Sequence, residues 1–357
     1  MIRARLFRTV RHLCLVAAVL AFGLPAAAQA SAQTKPSSST SATKKAPAAT
    51  KKPAYSAKSA RARRAALAKA RAAAAAKALA EAQQPRFKFD DSGALVPDIR
   101  AEAAIIYNPV TGQVLWESHS QDPRSIASIT KVMTAAVLLE NNPDLTERVV
   151  VQRSDVSRAS TTYLRAGDSI TKEDLLHLLL IASDNAAARA LARTSPLGAQ
   201  GFIARMNAKA EELGLSNTTY SEPSGLLATN VSSAYDMARL ITYVSGDARI
   251  AGVMQKQAYT ATAGRRKIDI RSTNHLVREG EIDVTAGKTG FISKAGYCLA
   301  TLLRLPKTGQ QVAVVVLGAK SSAGRFWETR HLFNWLSTKA NEILGGTPVE
   351  AAAATPN

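Results

Sequence analysis

Arg124-Ser125-Ile126-Ala127-Ser128-Ile129-Thr130-Lys131-Val132-Met133-Thr134 is the stretch from which the rest of the chain can be placed. It reads as a helix that carries Ser128 and Lys131 in an S-x-x-K arrangement. Positions i and i+3 share one face of a helix, so the hydroxyl and the amine come within hydrogen-bonding reach. That pairing has a chemical use, because a serine hydroxyl is a weak nucleophile until a neighbouring base takes its proton. A lysine can be the base only if burial or nearby positive charge lowers its pKa. Ile126, Ile129, Val132 and Met133 surround the pair, so a partly dry setting is expected. Taken alone, the stretch reads more readily as a helix start followed by an exposed lysine.

Two further stretches decide between these readings. Ser183-Asp184-Asn185 follows an apolar run from Leu175 to Ile181, and Lys288-Thr289-Gly290 lies inside a run that reads as a strand. S-x-x-K, S-D-N and K-T-G are the motif set of penicillin-binding proteins and class A β-lactamases. All three occur here in that order, with domain-scale gaps. From these residues the chain resembles the penicillin-recognising serine DD-peptidases, over roughly Ala101 to Ala340. Glu222-Pro223-Ser224-Gly225-Leu226 and Ala286-Gly287-Lys288-Thr289-Gly290-Phe291 look most like the small D-alanyl-D-alanine endopeptidases of that group. The resemblance implies a β-lactamase/transpeptidase-like fold, an antiparallel sheet flanked by helices with a helical subdomain.

Charge divides the 357-residue chain. Residues 1–88 hold 18 of the 46 Lys/Arg but only one of the 27 acids, Glu81, so the net charge of +19 describes a tail. No nucleic-acid partner follows from it. Residues 1–30 read as a secretory signal, with Arg3, Arg5, Arg8 and Arg11 ahead of the apolar run Leu13–Leu24 and the small-x-small site Ala28-Gln29-Ala30. The apolar run is shorter than the ~20 residues a span needs, so no stable membrane anchor is expected after cleavage. Residues 31–92 are a basic Ala/Lys/Pro/Ser linker, with a helix-prone part from Ser59 to Gln84 that lacks an apolar stripe. Residues 93–341 are the expected catalytic domain and 342–357 a frayed tail.

Within the body, Ala103–Tyr107 and Gln113–Glu117 read as a hairpin around Asn108-Pro109-Val110-Thr111-Gly112. The Ser128 helix runs to about Glu140, and Arg148–Val151 is a short strand. Thr171-Lys172-Glu173-Asp174 opens a helix through Ile181, with Ser183-Asp184-Asn185 on the loop to the next helix, Ala186–Ala192. Gly201–Leu213 and Ser233–Val244 are further helices. Ile268–Arg271, Val284–Phe291, Gly296–Arg304 and Gln311–Leu317 are strands, and a closing helix, Gly324–Ala340, turns Phe326, Trp327, Phe333 and Trp335 towards the sheet. A hairpin, then helices, then a meander and a helix make an α+β fold, in which the first hairpin completes the sheet of the last strands.

The resemblance implies roles for the site residues. Ser128 is the nucleophile and Lys131 its base. Ser183 points its hydroxyl between Lys131 and the leaving nitrogen, and Asn185 holds Lys131 and the substrate backbone. Lys288 and Thr289 bind a substrate carboxylate, Gly290 allows close backbone approach, and the N–H groups of Ser128 and Phe291 form the oxyanion hole. Asp184 fixes its loop rather than reacting. Glu222 lies between S-D-N and K-T-G, where class A β-lactamases place a deacylating glutamate, but outside an E-x-x-L-N pattern; it reads as a loop residue. His12, His119, His177, His275 and His331 show no ligand spacing, so no metal or cofactor is expected. Cys298 sits in an apolar strand and reads as a small hydrophobe.

Compartment and chemistry together point to peptidoglycan stem peptides in the periplasm as substrate, and β-lactam antibiotics as covalent inhibitors. Both the terminal D-Ala–D-Ala bond and the D-Ala–diaminopimelate cross-link place a carboxylate beside the scissile bond. Only residues 291–357 follow Lys288-Thr289-Gly290, which leaves no room for the extra C-terminal β domain and membrane helix of many DD-carboxypeptidases. The expectation is therefore a DD-endopeptidase cutting cross-links. A D-Ala-D-Ala carboxypeptidase, a class A-like β-lactamase and a non-catalytic wall-binding protein stay open.

Overall fold

The computed structural model describes residues 57–343. The signal-like segment 1–30, the first part of the linker and the tail from residue 344 lie outside the described residues. The elements run α1 (Ala57–Gln83), β1 (Phe87–Phe89), β2 (Leu95–Pro97), β3 (Ala103–Tyr107), β4 (Val114–Ser118), β5 (Arg124–Ser125), a 3-10 turn (Ala127–Ile129) and α2 (Thr130–Leu139). They continue with β6 (Arg148–Val150), α3 (Arg153–Val156), β7 (Ser169–Thr171), α4 (Lys172–Ile181), α5 (Asn185–Thr194), α6 (Gly198–Glu212), β8 (Val231–Ser232), α7 (Ala234–Ser245) and α8 (Ala248–Met254). The last third holds β9 (Ala258–Ala263), β10 (Arg266–Arg271), α9 (His275–Glu279), β11 (Val284–Ile292), β12 (Gly296–Arg304), β13 (Gln311–Ala319) and α10 (Ser322–Ile343).

Five strands form one antiparallel sheet in the order β11-β12-β13-β3-β4. The first hairpin does complete the sheet of the last strands: Ala313 pairs with Tyr107 and Leu317 with Ala103. Side chains alternate between the two faces of a strand. Ile105, Val315, Leu302 and Cys298 pack against the helical half. Ile106, Val314, Val316 and Leu303 pack against α10 through Phe326, Leu332, Phe333 and Leu336. Burial on both faces explains why β13 reads as an unbroken apolar run rather than an alternating one.

Trp327 departs from the expectation that it faces the sheet. It is half-buried beside His275, with the Arg330 guanidinium 5.0 Å from its ring centroid. Phe326, Phe333 and Leu336 already fill the core-facing stripe of α10, and a residue one step from Phe326 lies about 100° around the helix.

In the helical half every residue of α2 is buried, Lys131 included. Thr171 caps α4 as expected, its hydroxyl accepting from Asp174 N at 3.1 Å. Asn185 is the first residue of α5 rather than a loop residue, because Asp184 caps that helix by accepting from Ala187 N at 2.9 Å. The sequence reading misses α8, α9 and β9. Ala258-Tyr259-Thr260-Ala261-Thr262-Ala263 carries almost no large apolar side chain; it is held by pairing with β10 and by Asp174, which accepts from Tyr259 Oη at 2.8 Å and Thr262 N at 3.1 Å.

The boundary of a linker through residue 92 is corrected: ordered packing begins at Arg86. Phe87–Phe89 pairs with Leu95–Pro97, and Phe87 meets His331 of α10 edge-on at 5.0 Å. Three residues are too few to show a period. At the other end α10 runs past residue 341 to Ile343. Among the described residues no helix is long and apolar enough to cross a membrane.

Glu328 of α10 fastens the entry to the sheet. Its buried carboxylate accepts from Arg100 N at 2.8 Å and Ala101 N at 3.0 Å. Replacing it strands two backbone donors, and hydrogen bonds to charged groups are worth about 1.5–3 kcal/mol each. Glu328→Ala should therefore lower unfolding stability by about 2–3 kcal/mol in urea titration, with an unchanged denaturant slope.

Candidate active site

Two main-chain approaches build the site around Ser128. A Cβ at Gly225 would lie 2.0 Å from Ala127 O and 2.8 Å from Ser128 N, and Gly225 has φ +81°. A Cβ at Gly290 would lie 2.8 Å from Ile126 O. The loop 222–226 and strand β11 thus pinch the 3-10 turn from two sides. Ala127 and Ser183 both adopt left-handed φ, +49° and +60°, although neither is glycine. Such conformations cost of order 1–3 kcal/mol and persist only where surroundings over-determine them.

Asn230 ties these parts together. It is fully buried, and its amide donates to Thr130 Oγ1 at 3.1 Å and to Glu222 O at 2.8 Å. Its side-chain oxygen accepts from Ser221 N at 2.8 Å, and its backbone oxygen from Ile126 N at 3.2 Å. The Glu222 carboxylate accepts from Ser224 N and Oγ, from Gly225 N, and from Asn230 Nδ2. Glu222 is therefore the loop residue the sequence suggests, with its oxygens committed to its own turn.

Lys131 is fully buried. Its Nζ lies 2.8 Å from Ser128 Oγ and 2.6 Å from Asn185 Oδ1, and it also donates to Ser224 O. Burial lowers its pKa to about 7, against the opposing fields of Glu222 and Asp184. A neutral amine has two N–H groups and one lone pair. Asn185 Oδ1 and Ser224 O can only accept, so they take the two N–H groups and leave the lone pair for the Ser128 proton. Asn185 is fixed in turn by donating to Ala159 O at 2.7 Å.

Two expectations about the second motif pair change. Ser183 Oγ accepts from Lys288 Nζ at 2.7 Å, and none of the hydrogen bonds at Lys131 goes to Ser183. Lys288 is 1% exposed and its second bond goes to Thr289 O at 2.9 Å, so its ammonium does not open on the cleft. Burial, then Lys131, then Arg325 push its pKa well below that of an ordinary lysine. A buried amine with no acid beside it is a poor source of positive charge.

The cleft itself has a volume of about 420 Å³ and is lined by Ser128, Ser183, Asn185, Thr289, Gly290 and Phe291 of the expected residues. Its cation is one the sequence reading misses, Arg325 of α10. Arg325 is 7% exposed, donates to Gly290 O at 3.0 Å, and stacks its guanidinium 4.8 Å from the Phe326 ring centroid. Its Nε has no partner, and among the described residues its guanidinium bonds only carbonyls and a hydroxyl, never an acid. Thr273, also unforeseen, shares a 2.7 Å hydroxyl contact with Thr289 beside it. An arginine without an acid partner, on the wall of a cleft that also presents two threonine hydroxyls, suits an anion. Neither residue belongs to a sequence motif, so only the packing of α10 and of the segment after β10 reveals them.

Cys298 is fully buried and burial raises its thiol pKa to about 11, as an inert core thiol requires. Among the described residues no cluster of His, Cys, Asp and Glu could hold a metal ion.

The chain is similar to several known proteins. The family model Peptidase_S11, D-alanyl-D-alanine carboxypeptidase, matches residues 90–321. The D-alanyl-D-alanine endopeptidase of Escherichia coli K12 is 34% identical over 72% of this chain and 82% of its own length. That of Haemophilus influenzae is 36% identical over 63% of this chain and 78% of its own. Among solved structures, the Streptomyces K15 DD-transpeptidase superposes with a TM-score of 0.63 at 28% identity, covering 67% of this chain and 97% of its own. A D-alanyl-D-alanine carboxypeptidase from Mycobacterium tuberculosis gives 0.63 at 25% identity over 70% and 95%.

The Gly225 approach generates a direct test. Gly225→Ala forces the loop away from Ala127 and displaces Ser128. A displacement of about 1 Å costs about 10²-fold in rate. The variant should lose acylation by labelled penicillin by about that factor, while circular dichroism stays native.

Proposed function

The chain belongs to the D-alanyl-D-alanine carboxypeptidase family of serine peptidases, and on that premise we propose that it is a periplasmic DD-endopeptidase of peptidoglycan. In this reading it hydrolyses the D-Ala–diaminopimelate cross-link through an acyl-enzyme on Ser128. One observation carries the chemistry: Ser128 Oγ stands 2.8 Å from an amine whose other partners can only accept.

The steps follow from the arrangement. Lys131 takes the Ser128 proton as Oγ bonds to the D-alanyl carbonyl carbon. The carbonyl oxygen becomes an oxyanion against the N–H groups of Ser128 and Phe291, donors of a kind typically worth about 10²–10³ each in rate. The C–N bond then breaks and the leaving nitrogen needs a proton. The proton that Lys131 took from Ser128 passes to it by way of the Ser183 hydroxyl on the cleft wall, which Lys288 orients, so Lys288 serves the relay rather than the carboxylate and Lys131 is neutral again. The carboxylate beside the scissile bond goes to Arg325, Thr273 and Thr289. Water then attacks the acyl-enzyme, with Lys131 again as base.

The preference for cross-links is supported by the E. coli, H. influenzae and Pseudomonas aeruginosa relatives, each named a D-alanyl-D-alanine endopeptidase. The periplasmic location rests on the signal-like residues 1–30. Against a β-lactamase stands the cleft lining, which holds no Asp or Glu among the described residues. Penicillin is expected to label Ser128 and stay.

Three outcomes are expected. Ser128→Ala abolishes peptidase action and penicillin labelling with the fold intact; labelling retained by the variant would remove Ser128 as nucleophile. In competition between a cross-linked dimeric muropeptide and a pentapeptide monomer, the dimer is consumed faster; preferential release of free D-alanine makes the protein a carboxypeptidase instead. The penicillin acylation rate should rise as pH passes upward through about 7, because only neutral Lys131 is a base and its pKa is lowered to about 7. A rate flat across that range would exclude Lys131 from the role.

A further inference from the structure

A second, larger groove opens beyond the carboxylate end of the cleft. It has a volume of about 960 Å³ and shares Thr273 and Arg325 with the catalytic cleft, so the two meet there. Its walls come from β9, β10 and α9, elements the sequence reading largely misses. Arg271 at the end of β10 and Arg278 of α9 line it, and both are exposed. Neither guanidinium makes a hydrogen bond or ion pair among the described residues. One acid, Asp269, also lines the groove, and its carboxylate accepts from Thr260 Oγ1 at 2.6 Å. Tyr259 stacks on His177 at 3.8 Å and gives a rigid aromatic wall.

Direction decides what can lie there. On the reading given above, the carboxylate held at Arg325 and Thr273 belongs to the leaving amine. The groove shares those residues with the cleft but is lined by none of Ser128, Ser183 and Asn185, which puts it on the leaving side of the scissile bond. A single D-alanine ends at the anchor and reaches none of it. A leaving stem peptide continues past the anchor. Beyond the reacting centre of diaminopimelate it carries two more carboxylates, one at its C-terminus (on the other diaminopimelate centre of a tripeptide stem or on the following D-alanine of a tetrapeptide stem) and one on the γ-linked D-glutamate.

We propose that this groove is the subsite for the leaving stem peptide, with Arg271 and Arg278 pairing with its two distal carboxylates. It deepens the cross-link reading and rests on it. Arg is suited to the task, since its planar fork meets a carboxylate bidentately and stays charged at any working pH. Remote contacts of this kind can be used at the reacting centre and so favour the dimer over the pentapeptide.

The test separates binding from turnover. The probe for binding is the tripeptide L-Ala-γ-D-Glu-diaminopimelate, which lacks the D-alanine needed to occupy the acyl side. Its Kd is measured by calorimetry on the full chain carrying Ser128→Ala. Adding Arg271→Ala and Arg278→Ala should weaken it about tenfold or more, the scale of one lost charge-assisted bond. Arg271→Lys with Arg278→Lys should recover part of the loss. Amidating the D-glutamate carboxylate should weaken binding to the parent but leave binding to the double alanine variant unchanged. In protein that retains Ser128, the double alanine variant should lose about tenfold in kcat/KM on the dimer, with pentapeptide kcat/KM within about twofold.

Equal tripeptide affinity in parent and double variant overturns the subsite, as does a pentapeptide loss as large as the dimer loss. If the arginines bind the tripeptide but the parent cuts pentapeptide faster than dimer, the groove stands as a stem-peptide site. The preference for cross-links then falls.

Discussion

The contact between Lys131 and Ser128 depends on a helix that keeps an amine dry. Every residue of α2 is buried, and the helices around it bury Lys131 as completely as their leucines. Moving an ammonium into such surroundings costs several kcal/mol after relaxation, which the group avoids by giving up its proton. The helical half of the molecule is thus the device that makes a base at neutral pH. The sheet half supplies the opposite wall, through the close approach of Gly290 to the turn that carries Ser128.

The ordered motifs are legible in the sequence because their chemistry needs fixed residue types, and the structure brings Ser128, Lys131, Ser183, Asn185, Lys288 and Thr289 into one place. Burial is less legible. Nothing in Lys288-Thr289-Gly290 says that the lysine is buried against Ser183, because the loop that carries Ser183 is remote from it in sequence. Arg325 is one of several basic residues in α10, and only the packing of that helix on β12 and β13 selects it. The small, polar strand β9 has no period to read, since its stability comes from the register with β10 and from Asp174. The strands β3, β12 and β13 are readable because they are buried on both faces and carry strong apolar runs.

Two lysines in one site, equally buried, do not behave alike. Each disfavours charge on the other, so the surrounding field decides where a proton rests. Lys131 feels Glu222 and Asp184, which favour its charged form, ahead of Arg189, which opposes it, whereas the charged groups acting on Lys288 are Lys131 and Arg325, both opposing. Both carboxylates have structural occupations: Asp184 caps α5 and accepts from Tyr163 N at 2.6 Å, and Glu222 closes its own loop. Their charges nonetheless hold Lys131 near neutrality, where it can take and return a proton. Lys288, its pKa pushed well below that of an ordinary lysine, is left as a hydrogen-bond donor to Ser183. Residues that a motif search would set aside as loop-formers therefore set the two lysines apart.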